Sequence, residues 1–350
     1  MKKLVALLLV TVLLIGTGSA LAASKVGVVM PTNSLQRWNQ DGANMKEQLE
    51  KAGYEVDLQY ANNDVATQVS QIENMILGGV EVLVVASIDG SALGTVLAQA
   101  KENDIKVIAY DRLLTDTPDV DYYATFDNYK VGTIQGLFIE EKLDLKNAEG
   151  PFNFELFAGS PDDNNARYFH AGAWDILKPY YEAGKIVVKS GQTEFEKIAI
   201  LGWGTKDAQA RMDNLLTGYA DGTKLDAVLS PNDSLALGIT NSLIQAGYTV
   251  DNFPLITGQD CDIANTQNII KGYQAMSVFK DTRTLAAQVV IMVDAILKGE
   301  EVPVNDTETY DNGIKVVPSF LCDPVFADVS NYKELLIDSG YYTEDQLKVD

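Results

Sequence analysis

The sequence predicts an α/β protein built of two doubly wound parallel-sheet lobes. Two observations carry that reading. After Lys25, short runs rich in Val and Ile alternate with amphipathic stretches, which is the pattern of strand–helix–strand units. The runs also fall into two series of about five strands each, the second starting near Gly150. No Pro/Gly-rich linker separates the series, so the chain is expected to cross between lobes more than once through short segments.

Taken in order, KVGVVMP (25–31) reads as a strand and residues 38–52 as a helix. YEVDLQYA (54–61) is the second strand. Residues 64–78 form a helix, because Val65, Val69, Ile72 and Ile76 share one face and Gly78 and Gly79 close it. VEVLVVAS (80–87) is apolar nearly throughout, as suits a parallel strand covered on both faces. A helix at 91–103 turns Leu93, Val96, Leu97 and Ala100 inward, and IKVIAYDR (105–112) follows as a strand. The second series reads as strands at FNFELFAGS (152–160), KIVVKSG (185–191), LDAVLSPN (225–232), FPLITGQD (253–260) and AMSVFKD (275–281). Its helices are expected near 164–180, 205–219, 233–246 and 263–271. Residues 282–298 are a helix with Leu285, Val289, Val293 and Ile296 in register and Gly299 as its stop. GIKVVPSFL (313–321) is extended.

The chain begins MKKLVALLLVTVLLIGTGSALAAS. Lys2 and Lys3 precede an apolar stretch from Leu4 to Ile15, and small residues stand at Ala20 and Ala22. This is the pattern of a cleaved signal peptide over residues 1–22, too short to span a bilayer. No Cys stands at the cleavage site, so the expectation is a mature chain without a lipid anchor, free in a periplasm. The formal charge is −22, which repels nucleic acid and anionic lipid and sets both aside as partners. Cys261 and Cys322 are the only cysteines. Their pairing stays open, because spacing does not fix whether their Cα atoms approach. With the lone His170 they do not make up a zinc set, and nothing calls for a metal or cofactor.

Ligands of open parallel sheets bind off the carboxyl ends of the strands. Here those ends carry one kind of chemistry. The first strand leads to Arg37 and Trp38, VLVVAS to Asp89, KVIAY to Asp111 and Arg112, and FELFAGSP to Asp162, Asp163, Asn164 and Asn165. IAILGW ends on Trp203, AVLSP on Asn232 and Asp233, LITGQD on Asp260 and AMSVF on Lys280. Asp, Asn, Arg and Lys can each serve two neighbouring hydroxyls of a neutral polyol. Trp38 and Trp203 can stack on the C–H face of a sugar ring. Each residue also has an ordinary structural reading. Asp111 and Arg112 can form a local ion pair, Asn164 and Asp233 stand where helix N-caps are expected, the tryptophans suit a core, and Lys280 a solvated strand end. It is the repetition over so many strand ends that points to a site.

Signatures of catalysis are missing: there is no GxSxG elbow, GxxxxGK loop or HExxH helix. The adjacent Asp162 and Asp163 do not flank a substrate as a glycosidase pair must. His170 lies in the helical stretch ARYFHAGAWDIL and reads as structural. A secreted carbohydrate-active enzyme is therefore the weaker reading.

Long stretches of the chain resemble the type I periplasmic sugar-binding proteins of ABC transporters, in particular the multiple-sugar-binding and xylose-binding types. They include QIENMILGGVEVLVVASIDG (71–90), KVIAYDR (106–112), YYATFDNYKVG (122–132), GSPDDNNA (159–166), AQARMDNLL (208–216), ITGQD (256–260), FKDTR (279–283), VNDTETYDNGIKVVPS (304–319) and GYYTEDQLK (340–348). The resemblance implies two lobes joined by a three-strand hinge, with the sugar in the cleft between them. It divides the chain into an N-terminal lobe of 25–128 plus 281–311 and a C-terminal lobe of 129–280 plus 312–350. It assigns sugar binding to Arg37, Trp38, Asp89, Asp111, Arg112, Asp163, Asn165, Trp203, Asn232, Asp260 and Lys280. Two positions depart from the family pattern. Cys261 follows Asp260 where a small residue is usual, and Asn232 replaces a Tyr of the multiple-sugar type. The implied partners are a monosaccharide (an aldose such as xylose, arabinose, galactose or glucose) and an ABC transporter permease. A chemoreceptor or sensor-kinase ectodomain is the alternative partner, and the protein is expected to act as a monomer without catalysis. The signal peptide and the lack of a DNA-binding headpiece set aside a repressor of related fold.

Overall fold

The computed structural model of the protein describes residues 23–349, so the signal peptide expected over 1–22 lies outside the described residues. The first series runs β1 (Lys25–Met30), α1 (Gln36–Lys51), β2 (Glu55–Tyr60), α2 (Val65–Leu77), β3 (Val82–Val85), α3 (Gly94–Glu102), β4 (Lys106–Tyr110) and β5 (Tyr122–Phe126). The second runs α4 (Asn128–Lys142), β6 (Phe152–Leu156), α5 (Asn164–Glu182), β7 (Ile186–Val188), α6 (Phe195–Ile198), α7 (Thr205–Leu216), β8 (Ala227–Leu229), α8 (Asp233–Gln245), β9 (Leu255–Ile256), α9 (Ile263–Lys271) and β10 (Ser277–Phe279). Then come α10 (Thr282–Lys298), β11 (Ser319–Cys322), β12 (Val325–Ala327) and a π-helical turn at Lys333–Asp338.

Two parallel sheets form, one in each lobe. The first has the order β11-β5-β4-β3-β1-β2 and the second β7-β6-β8-β9. β10 and β12 pair antiparallel beside the second, where Gln259 and Val278 form a parallel bridge. The strand alternation shows how both faces of the first sheet are covered. Val26, Val28, Met30, Val84 and Ile108 turn to one side, against Met45 and Leu49 of α1 and Leu285, Val289 and Val293 of α10. Val29, Leu83, Val85 and Val107 turn to the other, against Ile72 and Met75 of α2 and Val96 and Leu97 of α3. Each such side chain stabilises the fold by about 1.5–3 kcal/mol through burial. The second lobe repeats the scheme around Phe154, Leu156, Leu177, Met212 and Ile239. Gly272 and Gly299 end α9 and α10 in the left-handed conformation, at φ 87° and 67°.

The structure departs from the sequence reading in several places. Residues 313–321 were expected with the C-terminal lobe. Instead β11 pairs with β5 in the first sheet, so the chain's last change of sheet falls between Cys322 and Val325. Nothing in a short apolar run tells which of two sheets has a free edge to receive it. IAILGW is not a strand: it is broken into the α6 turn, an isolated bridge from Ala199 to Ala158, and a 3₁₀ turn carrying Trp203. Asp163 and Asn232, not Asn164 and Asp233, are the N-caps of α5 and α8, accepting from the backbone N–H of Asn165 and Leu235.

Helix α4 shows no apolar stripe in the sequence, and the reason is physical. Its buried face is Asn128, Val131, Gly132, Gln135, Gly136 and Ile139, so polar side chains and glycines occupy the inward positions. The glycines let α4 and α5 touch backbone to backbone. A Cβ on Gly132 would sit 2.0 Å from the Phe169 carbonyl oxygen, and one on Gly172 2.1 Å from that of Tyr129. Gly172→Val is expected to force the helices apart and cost roughly 3 kcal/mol, read by urea unfolding.

The C-terminal segment packs beside the loop that carries Asp260. Leu336, Tyr342 and Leu347 pack on Cys261, Phe279 and Ala327. The Tyr342 hydroxyl donates to the Cys261 carbonyl at 3.0 Å and accepts from Gln36 Nε2 of α1 at 2.6 Å. Cys261 and Cys322 are both buried and free, in separate clusters.

Candidate functional site

The carboxyl ends of both sheets face one cavity of ≈ 40 Å³. On a measure where one water needs about 10–15 Å³, that is room for about three waters. Of the residues to which the resemblance assigns sugar binding, all except Asp89 line it: Arg37, Trp38, Asp111, Arg112, Asp163, Asn165, Trp203, Asn232, Asp260 and Lys280; the strand-end residues Asp162, Asn164 and Asp233 do not. Asp89 instead folds back on its own loop, accepting from the Ser91 N–H at 2.9 Å and hydroxyl at 2.8 Å.

Arg37 stands in the first turn of α1 and is the centre of the charge network. Its Nε donates to Asp41 Oδ2 at 2.8 Å, Nη2 to Asp111 Oδ2 at 2.5 Å and Nη1 to Asp260 Oδ1 at 2.9 Å. Asp41, one helical turn on, is fully buried and also accepts from the Tyr110 hydroxyl. Lys280, where β10 ends, lies 3.6 Å from Asp111 Oδ2 and 3.4 Å from Asp260 Oδ1. Arg112 Nε is 3.0 Å from Asp163 Oδ2, an ion pair whose angle does not make a hydrogen bond. Its Nη1 donates to the Ser87 carbonyl at 3.0 Å, which fixes the side chain from behind.

These pairs join the two lobes. Arg37 and Arg112 belong to the first, Asp260 and Asp163 to the second. Asn165 adds a third link, donating to the Asp111 carbonyl at 2.7 Å. The same carbonyl accepts from the Tyr123 hydroxyl at 2.5 Å. Arg37, Arg112 and Lys280 pair with Asp111, Asp163 and Asp260 around the cavity, so these groups present little net field to a neutral polar ligand.

The protonation states follow from the packing. Burial works against the Arg37 charge, but Asp111, Asp41 and Asp260 outweigh it and hold its pKa well above the usual value. Burial raises Asp111, yet Arg37, Lys280 and Arg112 together leave it lowered. Asp163 and Asp41 are raised by burial, with Arg112 and Arg37 respectively opposing.

The aromatic walls are positioned with equal care. Trp203 is 5 % exposed and its Nε1 donates to Asp163 Oδ2 at 3.2 Å. Its seat exists because position 159 lacks a side chain: a Cβ there would lie 1.9 Å from Trp203 Cη2. Trp38 carries Arg37 and Arg112 at 5.3 and 5.1 Å from its ring centre. Asp111, Trp203 and Asp260 have φ of 58°, 56° and 98°. Asp adopts the left-handed region readily, whereas for the bulky Trp203 it is an unusual conformation.

Sequence reasoning missed Leu35, Phe169, Ser234, Gln259 and Asp262, which also line the cavity. Helical spacing could have found Phe169, one turn after Asn165 on the same face of α5. Ser234, Gln259 and Asp262 lie within two residues of Asn232 or Asp260. Below the site, Asp233 is fully buried and accepts from Ser277 Oγ at 2.9 Å, Gln274 Nε2 at 2.9 Å and the Asp262 N–H at 2.9 Å. It ties α8 to the loop that carries Asp260. His170 lies outside the cavity, stacked on Trp174 with Phe195 at its edge.

A family model described as a periplasmic binding protein domain matches residues 26–301. The chain belongs to that family. This binding protein is 52% identical over 333 residues to the multiple sugar-binding periplasmic receptor ChvE of Rhizobium radiobacter, with 94% of each chain covered. It is 37% identical over 346 residues to the D-xylose-binding periplasmic protein of Escherichia coli, with 99% of each covered. Among solved structures, an ABC transporter solute binding protein from Clostridium phytofermentans with bound β-D-glucose is 66% identical. The two superpose with a TM-score of 0.90 over 93% of this chain and 100% of that one. Among the described residues of this binding protein, no helix is long and apolar enough to cross a membrane.

Proposed function

We propose that this binding protein captures one aldose between its lobes and presents the closed complex to an ABC transporter permease. The observation that carries the reading is the cavity itself. It is lined from both lobes by charge-matched donors and acceptors and walled by two tryptophans, as a neutral polyol with an apolar ring face requires. The relatives named above, with their sugar-binding names and bound glucose, support it. We place the mature chain in the periplasm, with residues 1–22 as its export signal. The chain changes lobe at Asp127, near Lys280 and between Cys322 and Val325, and these three crossings are the proposed hinge. Sugar contacts to both lobes favour the closed form over the open one, and closure is the signal a permease reads. No turnover is expected, since the cavity carboxylates of Asp111, Asp163 and Asp260 are committed to Arg37, Arg112 and Lys280. Because one relative is itself called a receptor, a sensor ectodomain is a second reader of the same closed surface.

A thermal-shift screen of the mature protein against glucose, galactose, xylose, arabinose, ribose and fucose tests the reading. A sugar at about 100 times its dissociation constant adds about 2.7 kcal/mol, which moves the melting point by several degrees. No shift with any of them sinks the sugar assignment. Gly159→Ala gives a sharper check on the wall. The added methyl displaces the Trp203 indole, and sugar affinity is expected to fall about tenfold in a protein that still unfolds cooperatively.

A further inference from the structure

Asp262 stands on the cavity wall beside Ser234 and Gln259, yet the network described above does not use its carboxylate. Its backbone N–H is held by Asp233 Oδ2 at 2.9 Å, so the residue is fixed in place. Its Oδ1 is walled off from solvent and has no hydrogen-bond partner among the described residues. A buried carboxylate oxygen without a partner is costly, and a carboxylate turns readily about its last bond, so either oxygen can face the cavity. A ligand hydroxyl in the cavity can supply the missing partner.

We propose that Asp262 is a further sugar-contacting residue, accepting a hydroxyl of the bound aldose on the Ser234–Gln259 side of the cavity. The inference rests on the sugar-binding reading above and deepens it.

The contact has a consequence for pH. The charged and titratable groups around Asp262 are Asp260 and Cys261 on its own loop, Arg37 of α1, Asp233 of α8 and Tyr342 of the C-terminal segment, with Lys280 after β10 held on Asp260. Burial first, and Asp260 second, push Asp262 up to about 7, with Arg37 acting the other way. Asp233 is raised as well, by burial and by Asp262. A hydroxyl donating to Asp262 favours the ionised form, so binding lowers its pKa and releases a proton. Sugar capture therefore tightens as pH rises through neutrality and weakens below it.

The test is titration calorimetry of the mature protein with D-glucose from about pH 5.5 to 8.5, beside Asp262→Asn. The wild-type protein is expected to bind about tenfold tighter at the upper end, with proton release near neutral pH seen as a buffer-dependent heat. Asp262→Asn, close in size and able to keep its fold, is expected to bind more weakly with a flat profile. A variant that matches the wild-type affinity and profile overturns the proposal. So does a wild-type protein that binds glucose with no proton release. A wild-type protein that binds none of the six aldoses overturns the sugar reading itself.

Discussion

Replacing Arg37 with Ala is expected to abolish sugar binding, weakening it more than about a hundredfold, and to destabilise the fold by roughly 3–5 kcal/mol. The guanidinium is the single countercharge shared by Asp41, Asp111 and Asp260. Asp41 is fully buried, so its removal leaves a carboxylate without a cation in a low-dielectric site. Arg37→Lys does not restore it, because one ammonium cannot reach three carboxylates set around a planar fork. The pH dependence separates this account from a simple packing loss. In the wild-type protein Asp111 is lowered, so its contribution is present at neutral pH and lost as pH falls through its folded pKa. In the variant Asp41 loses its cation and Asp111 keeps only Lys280 and Arg112, so both rise, which destabilises the fold at neutral pH and is relieved as they protonate. The gap in stability between the two proteins is therefore expected to narrow from about pH 7 to pH 4, read by urea unfolding. A constant gap contradicts the electrostatic explanation.

Trp203→Ala is expected to act on both affinity and stability. It removes a nearly buried indole and the donor that Asp163 uses, leaving a raised carboxyl with one partner fewer. Affinity for glucose is expected to fall about 10- to 100-fold, and stability by about 3–5 kcal/mol. Trp203→Phe restores the ring face without the N–H. Its affinity should lie between the two, and an intermediate value in titration calorimetry separates stacking from the hydrogen bond. Equal affinities for all three proteins would remove Trp203 from the site.

The fold was largely legible because parallel strands covered on both faces must be apolar along their length, as Val82–Val85 is. The site was legible because such sheets gather their ligands at strand ends, where Asp111, Asn232, Asp260 and Lys280 stand. What escaped did so for local physical reasons. Helix α4 buries glycines and polar groups, so its period is invisible to hydrophobicity. Trp203 reaches the cavity through a turn with left-handed backbone at Gly202 and Trp203, which no strand pattern announces. Asp89 looked like its neighbours in sequence, but a short loop lets it bond Ser91 instead. Asp41 and Asp233 act from beneath, and a buried carboxylate is recognised only once its partners are placed in space. The sheet of β11 depends on which edge is open, a property of the whole fold.

Titration calorimetry of the mature protein with D-glucose, run beside Asp111→Ala, tests the central claim most directly. The account predicts one site per chain, a dissociation constant of micromolar order or tighter, and a loss of at least about a hundredfold in the variant, which still melts cooperatively. Binding of equal strength in both proteins, or no heat from the wild-type protein at about millimolar sugar, would contradict it.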